Sequence, residues 1–204
     1  SAFANEVFDQ YFPTMKYICL DNNYHSQYLE IKLCDHPLPT KRNLINSKKV
    51  IDFVNSINPR TPILTIITGG SSAMLCRPIN NLKLTRTVHS QLLSSGLSIS
   101  KFNTVRKHSD LLKGGHLAKF YYPRKSLNLY VSDVDNDDIS LIGSGPTVLD
   151  LTTLDDAELI LKQQMIKDFV LSENPKENNY FSNLENKIIY TRKQMLLNIN
   201  KLTN

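Results

Sequence analysis

Pro62-Ile-Leu-Thr-Ile-Ile-Thr68, followed by Gly69-Gly70-Ser71-Ser72-Ala73, is the stretch that decides the fold. An apolar, β-branched run bounded by a proline and a glycine pair predicts a strand buried on both faces, and such strands belong to parallel sheets covered by helices. The small residues that follow let the backbone come close to a ligand, and a helix starting there would turn unpaired N–H groups toward an anion. The segment is not a Walker A loop, because Met74 stands five residues beyond Gly69 and no Lys-Thr pair follows. A plain strand-to-helix turn is the alternative reading.

On the N-terminal side, Lys16 to Leu20 and Leu29 to Leu33 read as short strands with a polar turn over Asp21 to Ser26 between them. His36-Pro37-Leu38-Pro39 forbids regular structure, and the apolar spacing from Leu44 to Ile57 predicts a helix that Pro59 stops. On the C-terminal side, Thr85 is placed to cap a helix that runs to Gly96, and Ser98 a second that runs through Leu112 to Gly114-Gly115. Ser126 to Ser132 is the next strand. A carboxylate-rich loop, the turn-forming Gly143-Ser-Gly-Pro146 and a helix from Leu154 to Met165 follow. The polar segment from Ser172 to Asn186 reads as a linker before a last strand near Ile188-Ile189 and a closing helix. Strands alternating with helices predict an α/β fold, a Rossmann-like three-layer α/β/α arrangement with a mainly parallel sheet. Residues 1–180 form one lobe in this reading. Residues 181–204 are either its closing strand and helix or the start of a second lobe.

The chain has 204 residues, 41% of them hydrophobic and 21% charged, the composition of an ordinary soluble domain with a real core. No apolar run approaches the roughly 18 residues that span a bilayer. Cys19, Cys34 and Cys76 are widely spaced and odd in number, which suggests neither a disulfide framework nor a zinc site and is the pattern of reduced, cytoplasmic thiols. The net charge of +5 is spread along the chain without aromatic and basic interleaving, so nucleic acid is not the expected partner. The start, Ser1-Ala-Phe-Ala, has no leader pattern and no initiator Met, which reads as a chain truncated at its beginning.

Two further segments can carry chemistry. Ser132-Asp133-Val134-Asp135-Asn136-Asp137-Asp138 lies at the C-terminal end of a predicted strand, where open α/β sheets place their ligands. Its carboxylates are suited to hold Mg²⁺ or to accept a hydroxyl proton, with a solvated acidic turn as the plainer reading. A calcium loop starting at Asp133 fails, because Asp138 and Ser144 occupy the positions that require Gly and Glu. Asn103, Arg106 and Lys107 lie on neighbouring faces of one predicted helix, an edge rich in donors for carboxylate or phosphate. The five histidines show no H-E-x-x-H spacing, and neither a G-x-S-x-G elbow nor a G-x-G-x-x-G fingerprint is present.

In their order these segments resemble the type II glycerate kinases, the family associated with the MOFRL domain. Asp35-His-Pro-Leu-Pro is similar to that family's G-H-P-[VI]-P, Thr68-Gly-Gly-Ser-Ser-Ala to S-G-G-G-S-A, and Ser98-Ile-Ser-Lys-Phe-Asn-Thr-Val-Arg-Lys-His108 to I-x-x-[IVF]-N-x-V-R-K-H. Lys113-Gly-Gly-His-Leu-Ala118, Ser132-Asp-Val-x-x-Asp-Asp138 and Ser144-Gly-Pro-Thr-Val-x-Asp150 continue the register. The resemblance implies transfer of the γ-phosphoryl group of ATP to a hydroxyl of D-glycerate, giving 2-phosphoglycerate, with Mg²⁺ as cofactor. It implies that Gly69, Gly70, Ser71 and Ser72 cradle phosphates together with Lys107 and the Gly143-Ser144-Gly145 turn. Asn103 and Arg106 would bind substrate, Asp133 would be the catalytic carboxylate, and Asp133 and Asp137 would hold the metal. The implied partners are glycerate and ATP, without nucleic acid or membrane, and self-association as a homo-oligomer stays open. Ser71 and Asp35 stand where the family has glycines, Tyr190-Thr-Arg stands where it has Gly-Ser-Asn, and the family's Gly-Lys-Ala-Ser segment would fall before Ser1. A catalytically inactive anion-binding homologue or fragment is the alternative.

Overall fold

The computed structural model describes residues 17–22, 31–194 and 197. All five described strands run parallel. β1 (Cys19–Asp21) pairs with β2 (Ile31–Leu33), and most of the turn expected between them lies outside the described residues. β3 (Ile63–Ile67), β4 (Ser126–Val131) and β5 (Leu184–Tyr190) form a second sheet in that order. Parallel neighbours need long crossovers, and helices supply them between β3, β4 and β5. The described helices are α1 (Lys41–Ser56), α2 (Ser71–Met74), α3 (Leu82–Ser94), α4 (Ile99–His108), α5 (His116–Tyr121) and α6 (Leu154–Gln163).

Register places Ile67, Tyr130 and Ile188 side by side, and alternation then puts Ile63, Thr65, Ser126, Asn128, Leu184 and Asn186 on the same sheet face. That face packs on α1 and α5 through Ile51, Val54, Leu117 and Tyr121, which reach Ile63 and Leu184, and on Ile142 and Val148 nearer the strands' C-terminal ends. Most of its polar groups are paired with one another, although the buried Asn128 Oδ1 has no hydrogen-bond partner among the described residues. Tyr130 Oη lies 2.6 Å from Thr147 Oγ1, Thr147 donates to Asn186 Oδ1 at 3.0 Å, and Asn128 Nδ2 donates to the same oxygen at 3.0 Å. A separate cluster joins Val88 and Leu92 of α3, Phe102 and Val105 of α4, and Ile160 and Leu161 of α6.

The parallel α/β arrangement is the one expected from the sequence, with local differences that have identifiable causes. β3 is half-buried except at Ile67, because it has a single strand neighbour in its sheet. α3 begins after Asn81, whose Oδ1 accepts from the Leu84 amide at 2.9 Å, while Thr85 is buried inside the helix and donates back to the Asn81 carbonyl at 3.0 Å. α4 is capped by Ser98 as expected but stops at His108. Beyond it, the Ser109 carbonyl accepts from Ile79 N and the Leu111 amide donates to the Arg77 carbonyl, so this backbone runs against residues 77–79 instead of continuing the helix. The expected linker is a tied-down segment, and the expected closing helix lies mostly outside the described residues.

Leu92 is fully buried at the centre of the helical cluster. Leu92→Ala is expected to lower unfolding stability by about 2–5 kcal/mol, read as a fall in the urea midpoint with little change in slope.

Candidate active site

β3 delivers Gly69-Gly70 beside the end of β4, and the two glycines meet different neighbours. A Cβ on Gly69 would lie 2.1 Å from Asp133 Oδ2, so the carboxylate rests against a bare Cα that no other residue offers. Gly70 has φ 81, and a Cβ there would lie 3.2 Å from His36 Cδ2. The helix expected after the loop is α2, a single turn of four residues, so the aligned peptide dipoles of a long helix are not at work here. α2 is instead braced at its far end. Asn43 Nδ2 donates to the Ala73 carbonyl at 2.9 Å, Ser47 Oγ to the Met74 carbonyl at 3.3 Å and Lys113 Nζ to the Leu75 carbonyl at 2.7 Å.

Both departures from glycine are accommodated. Ser71 is the first helical residue of α2 and has an ordinary negative φ, because Gly70 takes the left-handed position. Its Oγ lies 2.7 Å from where a Cβ of Gly143 would be, buried and without a hydrogen-bond partner among the described residues. Asp35 is absorbed locally: its carboxylate accepts from Thr40 Oγ1 and lies 3.7 Å from Arg42 Nε.

The Gly143-Ser144-Gly145 turn comes to the same place. Ser144 is fully buried with φ 62, a conformation that costs a non-glycine residue of order 1–3 kcal/mol unless its surroundings fix it. They do so from three sides: Ser144 Oγ donates to Asn103 Oδ1 at 3.0 Å, Ser72 Oγ lies 3.2 Å away and donates to it, and the Ser144 carbonyl accepts from Gly114 N at 3.0 Å. The structure thus assembles Gly69, Gly70, Ser71, Ser72, Asn103, Gly143, Ser144 and Asp133. Gly145 turns the chain against the Ser140 carbonyl.

Other expected site residues go elsewhere. Lys107 is buried and its Nζ lies 3.2 Å from Asp150 Oδ1, so its charge is spent inside the protein. The Arg106 guanidinium lies 4.1 Å above the Phe102 ring; burial pulls its pKa down to about 10, against the opposing pull of Asp110, and it stays cationic at neutral pH. The donor-rich edge of α4 is therefore split between the interior and the helical cluster. Asp133 is exposed and Asp137 half-buried on the acidic turn, where Asp135 pairs with Arg192 at 2.6 Å. No group of three His, Cys, Asp or Glu side chains able to hold a metal exists among the described residues. The described residues alone therefore do not form a metal cage. His89 is a core imidazole, edge-on to Phe102 at 5.5 Å, with its pKa pulled to about 3 by burial and, less strongly, by Arg106 and Lys113.

Sequence reasoning missed His36, Asn43 and the hub at Asp150. Asp150 accepts from Lys107, from Thr152 Oγ1 at 2.8 Å and from Asn174 Nδ2 at 2.6 Å, while Lys176 Nζ donates to its carbonyl at 2.6 Å. Burial raises the Asp150 carboxyl, but Lys107 and Thr152 outweigh it and hold the pKa below the ordinary carboxylate range. Polarity over residues 172–176 was the available signal, since a loose linker has no need of Asn174 and Lys176 where they stand.

The family profile described as a domain of unknown function, DUF4147, matches residues 2–174. The chain belongs to this family. It is similar to the D-glycerate 2-kinase of Thermotoga maritima, 34% identical over 164 residues, which are 76% of this chain and 39% of that protein. It is also similar to an Agrobacterium vitis protein provisionally named hydroxypyruvate reductase, 43% identical over 135 residues, or 65% of this chain and 31% of that protein. The crystal structure of glycerate kinase from Thermotoga maritima superposes with a TM-score of 0.85 at 28% identity, covering 98% of this chain and 51% of that one. The chain thus spans about half the length of the solved relative, and no described helix is long and apolar enough to cross a membrane.

The Asp150 hub gives a stability prediction. Asp150→Ala leaves the Lys107 charge buried and unpaired and is expected to cost about 3–5 kcal/mol at pH 7. A carboxyl whose folded pKa is depressed adds stability that is complete above its unfolded value of about 3.9 and is lost as pH falls through the folded value. The gap between wild type and variant in urea unfolding should therefore be constant from pH 7 to 5 and close below about pH 4.

Proposed function

We propose that this chain is the phosphate-binding lobe of an ATP-dependent glycerate kinase, acting on D-glycerate and giving 2-phosphoglycerate. The observation that carries the reading is the Asp133 carboxylate seated on Gly69 at the C-terminal ends of two neighbouring parallel strands. The family membership and the similarity to proteins named glycerate 2-kinase support it.

Phosphoryl transfer asks for positioning and charge neutralisation more than for covalent help. In the proposed complex the nucleotide phosphates lie over Gly69-Gly70, where the absence of side chains admits them, with Ser71, Ser72 and the Gly143-Ser144 turn forming the floor. The substrate hydroxyl oxygen bonds to the γ-phosphorus as the bond to the β-phosphate bridging oxygen breaks, releasing ADP, and the hydroxyl proton passes to Asp133. Mg²⁺, held through Asp133 and phosphate oxygens, would neutralise charge on the phosphates. Asp137, four residues on, is a further carboxylate for its hydration shell. Lys107 has no part in nucleotide binding in this proposal, because Asp150 holds it. A cytoplasmic location and small-molecule partners without nucleic acid belong to the same proposal.

Reduction of hydroxypyruvate, the reading that the Agrobacterium name raises, needs a nicotinamide, and the chain has no G-x-G-x-x-G fingerprint. Both activities are measurable on the longest chain the gene encodes. The expected result is ADP release from Mg-ATP dependent on D-glycerate, with no NADH oxidation by hydroxypyruvate. Asp133→Asn is expected to lower kcat by at least about a hundredfold. A loss under about tenfold would remove Asp133 from the chemistry, and NADH oxidation without ADP release would replace the kinase with the reductase.

A further inference from the structure

His36 has no part in the chemistry above, yet it sits at its edge. A Cβ built on Gly70 would lie 3.2 Å from His36 Cδ2 and 3.4 Å from Nε2, so one edge of the ring stands over the bare Cα of Gly70. Asp133 occupies the corresponding place on Gly69. Each of the two glycines therefore has a polar side chain at its bare Cα, a carboxylate at Gly69 and an imidazole at Gly70. His36 is exposed, so its ring is open to a ligand arriving over the loop, and an imidazole offers an N–H donor whether neutral or charged.

The backbone that carries His36 is held rigidly although the ring is exposed. Asn43, fully buried in α1, accepts from the Asp35 amide at 2.9 Å and donates to the Asp35 carbonyl at 2.7 Å and to the Ala73 carbonyl at 2.9 Å. One amide side chain thus fixes the residue before His36 and the end of α2 in a single frame. A donor fixed in this way meets its acceptor with little loss of freedom on binding.

Resting on the kinase reading, we infer that His36 donates a hydrogen bond to a phosphate oxygen of the bound nucleotide and that Asn43 is the residue that positions it. The test is isothermal titration of the full gene product with Mg-AMP-PNP. His36→Ala is expected to raise the Kd by about tenfold or more, the usual consequence of losing a hydrogen bond to a charged group, with the melting temperature unchanged because the ring is exposed. Lys48→Ala, on the exposed face of α1, serves as control and should leave the Kd alone. Asn43→Asp is expected to weaken binding in the wild-type background and to weaken it by less once His36 is Ala, the remainder reflecting the brace Asn43 gives to α2. An unchanged Kd in His36→Ala, a rise confined to the KM for D-glycerate, or wild type that does not bind the nucleotide would each overturn the inference. Fully additive losses would overturn the role of Asn43. Because binding is read without turnover, a wild type that binds AMP-PNP but releases no ADP would sink the kinase and leave His36 tested.

Discussion

The contact of the Asp133 carboxylate with the bare Cα of Gly69 is the constraint on which the site depends. Gly69 follows β3 and Asp133 follows β4, and parallel pairing of these strands brings both of their C-terminal ends to one edge. In an open α/β sheet that edge is where ligands bind. A side chain at Gly69 would push the Asp133 carboxylate out of this place, so the glycine serves the approach of a neighbour and not the bend of the chain. Gly70 has the other task, since its left-handed backbone starts α2 and leaves Ser71 an ordinary conformation.

Around this contact the protein spends buried polar groups on holding loops still. Asn43, Ser47 and Lys113 close the carbonyl end of α2, while Asn103 and Ser72 hold Ser144 in a conformation it would not adopt alone. The hub at Asp150 fixes residues 172–176 against α4. A one-turn helix and a strained turn have little stability of their own, and buried hydrogen-bond networks supply rigidity where the apolar core does not reach.

The fold was legible because its signals are local and strong. A β-branched run closed by Gly69-Gly70, apolar spacing from Leu44 to Ile57 and Ser98 as a cap all report on nearby chain. The Gly69-Gly70 loop and the acidic turn at Asp133 were legible as loops for the same reason, and the structure brings them together. What the sequence does not carry is which way a polar side chain turns. Lys107 reads as a ligand for phosphate, but Asp150, 43 residues further on, claims it. His36 stands beside prolines that mark a loop, and its meeting with Gly70 is a tertiary contact the sequence does not show. Thr85 shows the same limit at short range, since a residue fit to cap a helix is buried inside one whose cap is Asn81.

The most direct test of the account is a crystal structure of the full gene product with Mg-AMP-PNP. The account requires the triphosphate to lie over Gly69-Gly70, between His36 and Asp133, with the Gly143-Ser144 turn beneath it. Phosphates bound elsewhere, with Asp133 more than a water's breadth from any of them, would contradict it.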